Sequence, residues 1–196
     1  MLVLGLTGSI GMGKSATASI FRQYGVPVYD ADATVHKLMG AHGRATPLIE
    51  RVFGDCLEAS GAVDRQKLGA QVFGNDPALK KLEAILHPMV REEERKFLRL
   101  ARLQRRKLVV LDIPLLFEAG GGRRCDAIAV VSASKTLQKK RVMARAGMSD
   151  EKYRAIVKKQ MQDALKRRKA DYIIFTGSGF RVARNQVKKI IHELQD

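Results

Sequence analysis

Eight residues near the N-terminus set the architecture that we expect for this chain: Gly8-Ser9-Ile10-Gly11-Met12-Gly13-Lys14-Ser15. They match G-x-x-x-x-G-K-S, the pattern of a loop that binds the phosphates of nucleoside triphosphates. Glycines let backbone N–H groups approach phosphate oxygens, Lys14 can reach the β- and γ-phosphates, and the Ser15 hydroxyl can hold Mg²⁺. A plain glycine-rich turn is the alternative, but such a turn does not require the complete pattern.

The residues on either side of this loop have the context that the motif requires. Leu2–Leu6 is an apolar run of strand length, and Lys14–Tyr24 has helical spacing and stops before Gly25. The N-terminus of that helix would direct its partial positive charge at bound phosphates. The sequence therefore predicts a strand–loop–helix unit that binds a nucleoside triphosphate.

Length, composition and cysteine content are those of a soluble globular protein. The 196 residues are enough for one domain with a large core, and 45% of them are hydrophobic. No apolar run has the length of a membrane span, and removal of a signal peptide would destroy the phosphate-loop motif. Cys56 and Cys125 have no C-x-x-C spacing, so we expect free thiols in a reducing, cytoplasmic compartment.

The net charge of +16 leaves three interpretations open. The basic residues are concentrated in Lys135–Lys169, which could cover a triphosphate, bind nucleic acid or form a solvated helix face. For most of its lysines the solvated face is favoured. Aromatic residues make up only 6% and Trp is absent, so we expect no nucleic-acid partner.

Strand-like runs separated by helical stretches predict an α/β fold of the P-loop NTPase type. Most runs are continuously apolar, as expected for parallel strands that are covered on both faces. We expect a three-layer α/β/α arrangement with a five-stranded parallel sheet. The runs are Leu2–Leu6, Pro27–Tyr29, Leu108–Ile113, Ala127–Ser132 and Tyr172–Thr176.

Three parts are expected along the chain. Residues 1–31, 107–134 and 170–196 would form the nucleotide-binding core. Residues 32–106 would form a helical, acceptor-binding subdomain, in which Pro88 breaks or restarts a helix. Residues 135–169 would form a helical lid, whose two basic helices are capped by Ser134 and Ser149.

Acidic residues at strand ends are candidates for chemistry, because ligands of open α/β sheets lie beyond the carboxyl ends of the strands. Asp112 ends the third run and could hold a water of Mg²⁺. Asp32 follows the second run and could orient an acceptor hydroxyl and take its proton. The alternative for Asp32 is to cap a helix that starts at Ala33.

Basic and imidazole side chains add further candidates. Arg141 and Arg145 have i,i+4 spacing on one face of the first lid helix, where a closing lid could bring an arginine to the transferring phosphoryl group. The alternative is two surface arginines. His36 lies one helical turn after Asp32 and could line the acceptor pocket. His87 faces the inserted subdomain, and a structural role is its alternative.

A series of segments resembles the dephospho-CoA kinase family along nearly the whole chain. The phosphate loop is shared by a vast superfamily, whereas the other segments, in this order, are far more specific. They are Leu6–Ser15, Asp30-Ala31-Asp32 with His36, His87-Pro88, Asp112-Ile113-Pro114-Leu115-Leu116-Phe117-Glu118, Arg141–Arg145, Gln160 and Ala170–Ile174.

The resemblance implies phosphorylation of the ribose 3′-hydroxyl of dephospho-CoA by ATP, giving CoA and ADP in the last step of coenzyme A biosynthesis. It implies Asp32, Lys14 and Arg141 as catalytic residues, with Asp32 as the base. Asp32, His36 and His87 would bind the acceptor, and Ser15 and Asp112 would bind Mg²⁺. The residues expected to bind ATP are Thr7, Gly8, Gly11, Met12, Gly13, Lys14, Ser15, Ala16, Arg145, Thr176 and Gly177.

The chain departs from the family pattern after the last strand, where Asn, one residue and Gly are common. Here the stretch is Phe175-Thr176-Gly177-Ser178-Gly179, expected near the adenine, so its base contacts should differ. Met12 should be harmless in the loop, because its position contributes backbone. Two rival functions are another small-molecule P-loop kinase and a nucleic-acid-binding protein switched by ATP. We expect a monomer or a weak homo-oligomer.

Overall fold

Five parallel strands form one sheet in the computed structural model, which describes residues 1–118 and 120–195. The order across the sheet is β2-β3-β1-β4-β5. This arrangement confirms the predicted α/β fold with a five-stranded parallel sheet. The strands are β1 (Leu2–Thr7), β2 (Val28–Asp30), β3 (Leu108–Asp112), β4 (Ala127–Ser132) and β5 (Tyr172–Phe175).

The register brings the polar strand ends to one edge of the sheet. Asp112 of β3 lies opposite Leu6 of β1 on one side and opposite Asp30 of β2 on the other. The preceding residues of β3 are all buried, since helices and loops cover both faces of the sheet. Functional side chains are therefore expected at this edge.

The chain has two compact units, Met1–Asp30 with Leu100–Asp196, and Ala31–Arg99. The helix Asp76–Leu103 has residues in both units, and each of the other helices belongs to one of them. The second unit is helical and has its own apolar core, which includes Leu38, Ile49 and Leu68. The predicted lid falls within the first unit, and the three-part functional division stays a prediction. Among the described residues, no helix has the length and apolar content needed to cross a bilayer. The helices are α1 (Lys14–Gln23), α2 (Ala31–Leu38), α3 (Thr46–Phe53), α4 (Arg65–Val72), α5 (Asp76–Leu103), α6 (Lys135–Met143), α7 (Asp150–Lys159), α8 (Asp163–Arg168) and α9 (Phe180–Gln195), with a 3₁₀ turn at Gly121–Arg124.

The predicted helix break at Pro88 is wrong, because α5 runs through it without interruption. An interior proline costs about 3 kcal/mol or more through a lost hydrogen bond and a steric clash. Apolar residues on both sides of Pro88, Ile85 and Leu86 before it and Met89 after it, pack into the same core. Full burial of such a side chain contributes about 1.5–3 kcal/mol. Leu86 is buried and Ile85 and Met89 are partly buried, so their packing offsets the local cost.

The two predicted lid helices begin where their capping residues stand. The Ser134 hydroxyl accepts a hydrogen bond from the Leu137 N–H of α6, and the Ser149 hydroxyl accepts one from the Lys152 N–H of α7. Gly147 lies between these helices with a positive φ of 71°. A third helix, α8, follows in the same segment and was not predicted.

Candidate active site

The phosphate loop joins β1 to α1 and contains two residues in a conformation that favours glycine. Gly11 has a φ of 75° and Gly13 has a φ of 95°. The Met12 N–H donates to the Ser9 carbonyl at 3.2 Å and closes a turn around the first of these glycines. Gly13 immediately precedes α1, so the loop ends at a helix N-terminus, which is suited to anions.

Lys14 and Asp112 form the closest charge pair of the described loop region. The Lys14 Nζ lies 2.6 Å from the Asp112 Oδ1, and the side chains are 14% and 2% exposed. Ser15 follows in the first turn of α1 and is exposed. The sheet edge thus holds an ammonium, a carboxylate and a hydroxyl, which are the groups that triphosphate chemistry needs.

Thr176 links the phosphate loop to Arg141. Its hydroxyl donates to the Met12 carbonyl at 2.7 Å and accepts from the Arg141 Nη1 at 2.9 Å. The Arg141 Nη2 donates to the Thr176 carbonyl at 2.9 Å, and Nη1 lies 3.5 Å from the Gly11 carbonyl. The structure therefore brings together three residues of the predicted ATP site, Gly11, Met12 and Thr176, with the predicted catalytic residue Arg141. Backbone carbonyls take part in three of these four contacts.

Three other predicted ATP-site positions differ from one another in exposure. Thr7 is fully buried, and its hydroxyl donates to the Pro114 carbonyl at 2.9 Å. Arg145 is exposed and lies beyond α6, which ends at Met143, so the predicted shared helix face with Arg141 is wrong. The chain leaves the helix there because the Arg145 N–H bonds three residues back, to Val142, in a tight turn. Gly177 is exposed.

Met12 contributes its side chain as well as its backbone, so the reason for expecting it to be harmless was incomplete. The side chain is 2% exposed and belongs to the core between the sheet, α1 and α9. Its sulfur accepts a hydrogen bond from the Ala133 N–H at 3.1 Å. A small residue at this position would therefore leave a cavity under the loop.

Replacing Met12 with alanine is expected to lower the free energy of unfolding by about 2–5 kcal/mol, the range for truncation of a buried methionine. Met12→Leu keeps the volume and should cost less than about 1.5 kcal/mol. Urea unfolding of the two variants measures the difference. Equal stability of the alanine variant and the unmodified chain would contradict a packing role for this side chain.

A cavity of about 970 Å³ lies beside the loop, within the first unit. Ser9 and Met12 line it from the loop, and Gln138, Tyr153 and Asp163 line it from α6, α7 and α8. Its volume is in the range of pockets for small organic ligands. The predicted lid segment and the phosphate loop thus share one ligand-sized space.

A buried ion pair holds the segment after β3 against α8. Lys166 is fully buried, and its Nζ lies 2.9 Å from the Glu118 Oε1. The contact is an ion pair without the angles of a hydrogen bond. The same oxygen accepts from the Met161 N–H at 2.8 Å. Burial raises the pKa of Glu118, but the Lys166 ammonium and the Met161 N–H outweigh it, so the pKa lies below its ordinary value of 4.5.

The depressed pKa of Glu118 predicts a loss of stability in acid. The ionised carboxylate stabilises the fold above its ordinary pKa of 4.5, and that contribution disappears as the pH falls through the lowered value. At neutral pH, Glu118→Gln should cost about 3–5 kcal/mol, since it leaves Lys166 buried without a counter-charge. Chemical unfolding from pH 7 to pH 3 should show that the free energy of unfolding of this variant falls less steeply with decreasing pH than that of the unmodified chain. If the free energy of unfolding fell equally steeply in both, another carboxylate would control the loss of stability in acid.

The predicted acceptor-binding residues lie in the second unit. Asp32 is the second residue of α2, so its alternative role as an N-cap before Ala33 is wrong. The helix starts earlier because it follows β2 without an intervening loop. Asp32 and His36 have i,i+4 spacing within α2 and are both exposed, as is His87 on α5.

Arg65 contacts His36 in this unit. The two side chains approach to 3.1 Å between the Arg65 Nη1 and the His36 Nδ1. A guanidinium can only donate, so in a hydrogen bond between these two atoms Nδ1 would be the acceptor. This arginine adds a cation beside the predicted acceptor-binding face of α2.

The chain is similar to known proteins over its whole length. A family model described as dephospho-CoA kinase matches residues 2–180. The chain belongs to the dephospho-CoA kinase family. A dephospho-CoA kinase from Mesorhizobium japonicum is 52% identical over 195 residues, which cover 100% of this chain and 98% of the relative. One from Bradyrhizobium diazoefficiens is 50% identical over 194 residues, with 99% and 96% covered.

Solved structures agree with the family. A Thermus thermophilus protein has a TM-score of 0.83 at 34% identity, covering 100% of this chain and 98% of its own. Dephospho-CoA kinase from Campylobacter jejuni has a TM-score of 0.67 at 27% identity, covering 98% and 97%. The family confirms the predicted activity, an ATP-dependent dephospho-CoA kinase of coenzyme A biosynthesis.

Two glutamines contact the phosphate loop of this kinase although the sequence predicted no role for them. Gln138 donates to the Ile10 carbonyl at 2.9 Å, and Gln160 accepts from the Ile10 N–H at 3.0 Å. Gln160 carried a signal, because it stands in one of the family-like segments. Gln138 carried none, because a glutamine in a basic helix is indistinguishable from a surface residue.

Proposed function

We propose that the chain transfers the γ-phosphoryl group of ATP to the ribose 3′-hydroxyl of dephospho-CoA and releases CoA and ADP. The observation that carries this proposal is the Lys14–Asp112 pair, 2.6 Å apart at the carboxyl edge of the sheet and next to the phosphate loop. A loop of this kind binds phosphates, and an acid at the end of the neighbouring strand supports a cation beside them. The pair thus joins the two parts of a phosphoryl-transfer site.

The ATP phosphates are proposed to bind to the loop and to the first turn of α1. Positive φ values at Gly11 and Gly13 support this assignment, because such backbone can turn its N–H groups toward an anion. Lys14 would exchange Asp112 for the β- and γ-phosphates. The proposed ATP-binding residues are Thr7, Gly8, Gly11, Met12, Gly13, Lys14, Ser15, Ala16, Arg145, Thr176 and Gly177.

Ser15 and Asp112 are proposed to hold Mg²⁺ beside the ATP phosphates. The donor set fits this ion, because Mg²⁺ in such enzymes usually takes few protein ligands and completes its shell with water and phosphate oxygens. Among the described residues there is no group of three or more His, Cys, Asp or Glu that could hold a metal by itself. The ion would supply neutralisation of the charge that develops on the phosphates.

Asp32 is proposed to be the base. It lies two residues after Asp30, the last residue of β2, in the first turn of α2, and its carboxylate is exposed. The carboxylate would orient the acceptor hydroxyl and take its proton as the oxygen attacks the γ-phosphorus and ADP leaves. His36 and His87 are proposed to bind the acceptor, and the guanidinium of Arg65 supports an anionic ligand beside His36.

Arg141 is proposed to stabilise the charge on the transferring phosphoryl group. Its present contacts with Thr176 and Gly11 support a place beside the loop. Residues 135–169 would then serve as the lid, residues 32–106 as the acceptor subdomain, and residues 1–31, 107–134 and 170–196 as the nucleotide core. A closed lid excludes water and so prevents wasteful hydrolysis of ATP.

We propose that the enzyme acts without nucleic acid or membrane, as a monomer or weak homo-oligomer in the cytoplasm. Cys56 is a free thiol, which supports a reducing compartment.

An ADP-release assay with a panel of acceptors tests the proposed reaction. Dephospho-CoA should be turned over far faster than adenosine, other nucleosides or water, and chelation of divalent cations should abolish the rate. Equal rates with adenosine and dephospho-CoA would overturn the proposed acceptor. An unchanged rate after chelation would overturn the proposed use of Mg²⁺.

A further inference from the structure

The turn Ser9–Met12 of the phosphate loop has the geometry of a type II turn. The Met12 N–H bonds to the Ser9 carbonyl, and Gly11, at the third position, has a φ of 75°. A positive φ at that position is typical of type II and absent from type I. The two types differ in the orientation of the central peptide, which here joins Ile10 to Gly11. That orientation decides where the Gly11 N–H points.

Two glutamines from the predicted lid segment hold this part of the chain. The Ile10 carbonyl accepts from the Gln138 Nε2 at 2.9 Å, and the Ile10 N–H donates to the Gln160 Oε1 at 3.0 Å. Because a carbonyl only accepts and an N–H only donates, each backbone group fixes the orientation of its amide partner. Gln138 is 4% exposed, and its Oε1 accepts from the Tyr153 hydroxyl at 3.3 Å.

We propose that Gln138 and Gln160 are positioning residues that fix the two peptides on either side of Ile10 for ATP binding. Gln160 holds the Ser9–Ile10 peptide through its N–H, and Gln138 holds the Ile10–Gly11 peptide through its carbonyl. In a trans peptide the carbonyl and the following N–H point in opposite directions. Holding the Ile10 carbonyl on Gln138 therefore directs the Gly11 N–H away from α6, where it remains available to a phosphate oxygen. This inference rests on the proposed binding of ATP phosphates by the loop.

The segment that carries Gln160 is itself fixed to the sheet edge. The N–H of Met161, the next residue, donates to Glu118, which is paired with the buried Lys166. The Ser9–Ile10 peptide is thus connected through Gln160 to the segment after β3, and the Ile10–Gly11 peptide is connected through Gln138 to α6. Movement of the predicted lid would release both hydrogen bonds together and allow the Ile10–Gly11 peptide to rotate.

Isosteric glutamate substitutions separate the two roles. Gln160 only accepts a hydrogen bond from Ile10, so Gln160→Glu keeps that bond, and kcat/KM for ATP should stay within about threefold of the unmodified enzyme. Gln138 must donate, so Gln138→Glu removes the donor and sets a carboxylate against a carbonyl. Its kcat/KM for ATP should fall about ten- to a hundredfold. Gln23→Glu is the control, because it adds the same charge to an exposed position at the end of α1 remote from the phosphate loop.

Inhibition by inorganic tripolyphosphate, with ATP as the competed substrate, locates the effect. For Gln138→Glu its inhibition constant should rise by the same factor as the KM for ATP, while the KM for dephospho-CoA stays unchanged. The thermal midpoint should fall, because the new carboxylate is buried, so both constants are measured well below the midpoint of the variant. Equal losses for Gln138→Glu and Gln160→Glu, or no loss for either, would overturn the inference. Failure of tripolyphosphate to inhibit the unmodified enzyme would instead overturn the proposed phosphate role of the loop.

Discussion

Replacement of Lys14 with alanine is expected to lower kcat by about a hundred- to a thousandfold, the cost of losing one preorganised charge contact to the transition state. Phosphoryl transfer depends on positioning and on charge stabilisation, and Lys14 is the cation proposed to reach the β- and γ-phosphates. The same substitution leaves Asp112, with a side chain 2% exposed, without its 2.6 Å partner. The loss of activity must therefore be separated from a loss of stability.

Two further variants make that separation. Lys189→Ala removes one positive charge from the exposed surface of α9, where the side chain is 78% exposed, and should keep full activity. Lys14→Ala combined with Asp112→Asn also removes the carboxylate charge that Lys14 faces, so it should regain thermal stability while remaining inactive. ADP release at saturating dephospho-CoA and thermal unfolding are the measurements. An active Lys14→Ala variant, within tenfold of the unmodified enzyme, would remove this lysine from catalysis.

Asp32→Asn is expected to lower kcat by about a hundred- to ten-thousandfold, which is the contribution of a well-placed general base. The substitution keeps the shape of the side chain and removes its charge. Because Asp32 is exposed in the first turn of α2, the stability change should be small, about 0.3–1 kcal/mol from the helix dipole. Catalysis and stability should therefore respond very differently.

Asp76→Asn is the matched control for this prediction. Asp76 is also an exposed acid in the first turn of a helix of the second unit, but it has no proposed catalytic role. Both variants should lose a similar, small amount of stability, and only Asp32→Asn should lose activity. If Asp32→Asn turned over dephospho-CoA at nearly the normal rate, the residue would be left with a helix-stabilising role alone.

The sheet and the phosphate loop could be predicted because their signals are local. Continuous apolar runs indicate buried parallel strands, and a motif of eight adjacent residues has its conformation largely dictated by its glycines. The place of Asp112 follows from the same reasoning, since it ends such a run. The family resemblance added the acceptor, which no local pattern identifies.

The contacts around the loop could not be predicted, because they join distant segments through backbone groups. Gln138 and Gln160 reach Ile10 across 128 and 150 residues, and Thr176 reaches Met12 across 164 residues. A side chain that bonds to a backbone carbonyl or N–H needs no particular partner residue, so the sequence contains no matching signal. At Pro88 the sequence predicted a helix break, but the helix continues because residues on both sides of the proline pack into the same core.

The pairing of Lys14 with Asp112 has a consequence for how ATP affinity responds to ionic strength. Each charge of the ligand-free edge already has an internal counterion, so arrival of a triphosphate exchanges one ion pair for another. The number of paired charges at this position changes little, and both partners are mostly shielded from mobile ions. Added salt should therefore reduce the contribution of Lys14 to ATP affinity only slightly. An exposed lysine in the same place would lose more of its contribution.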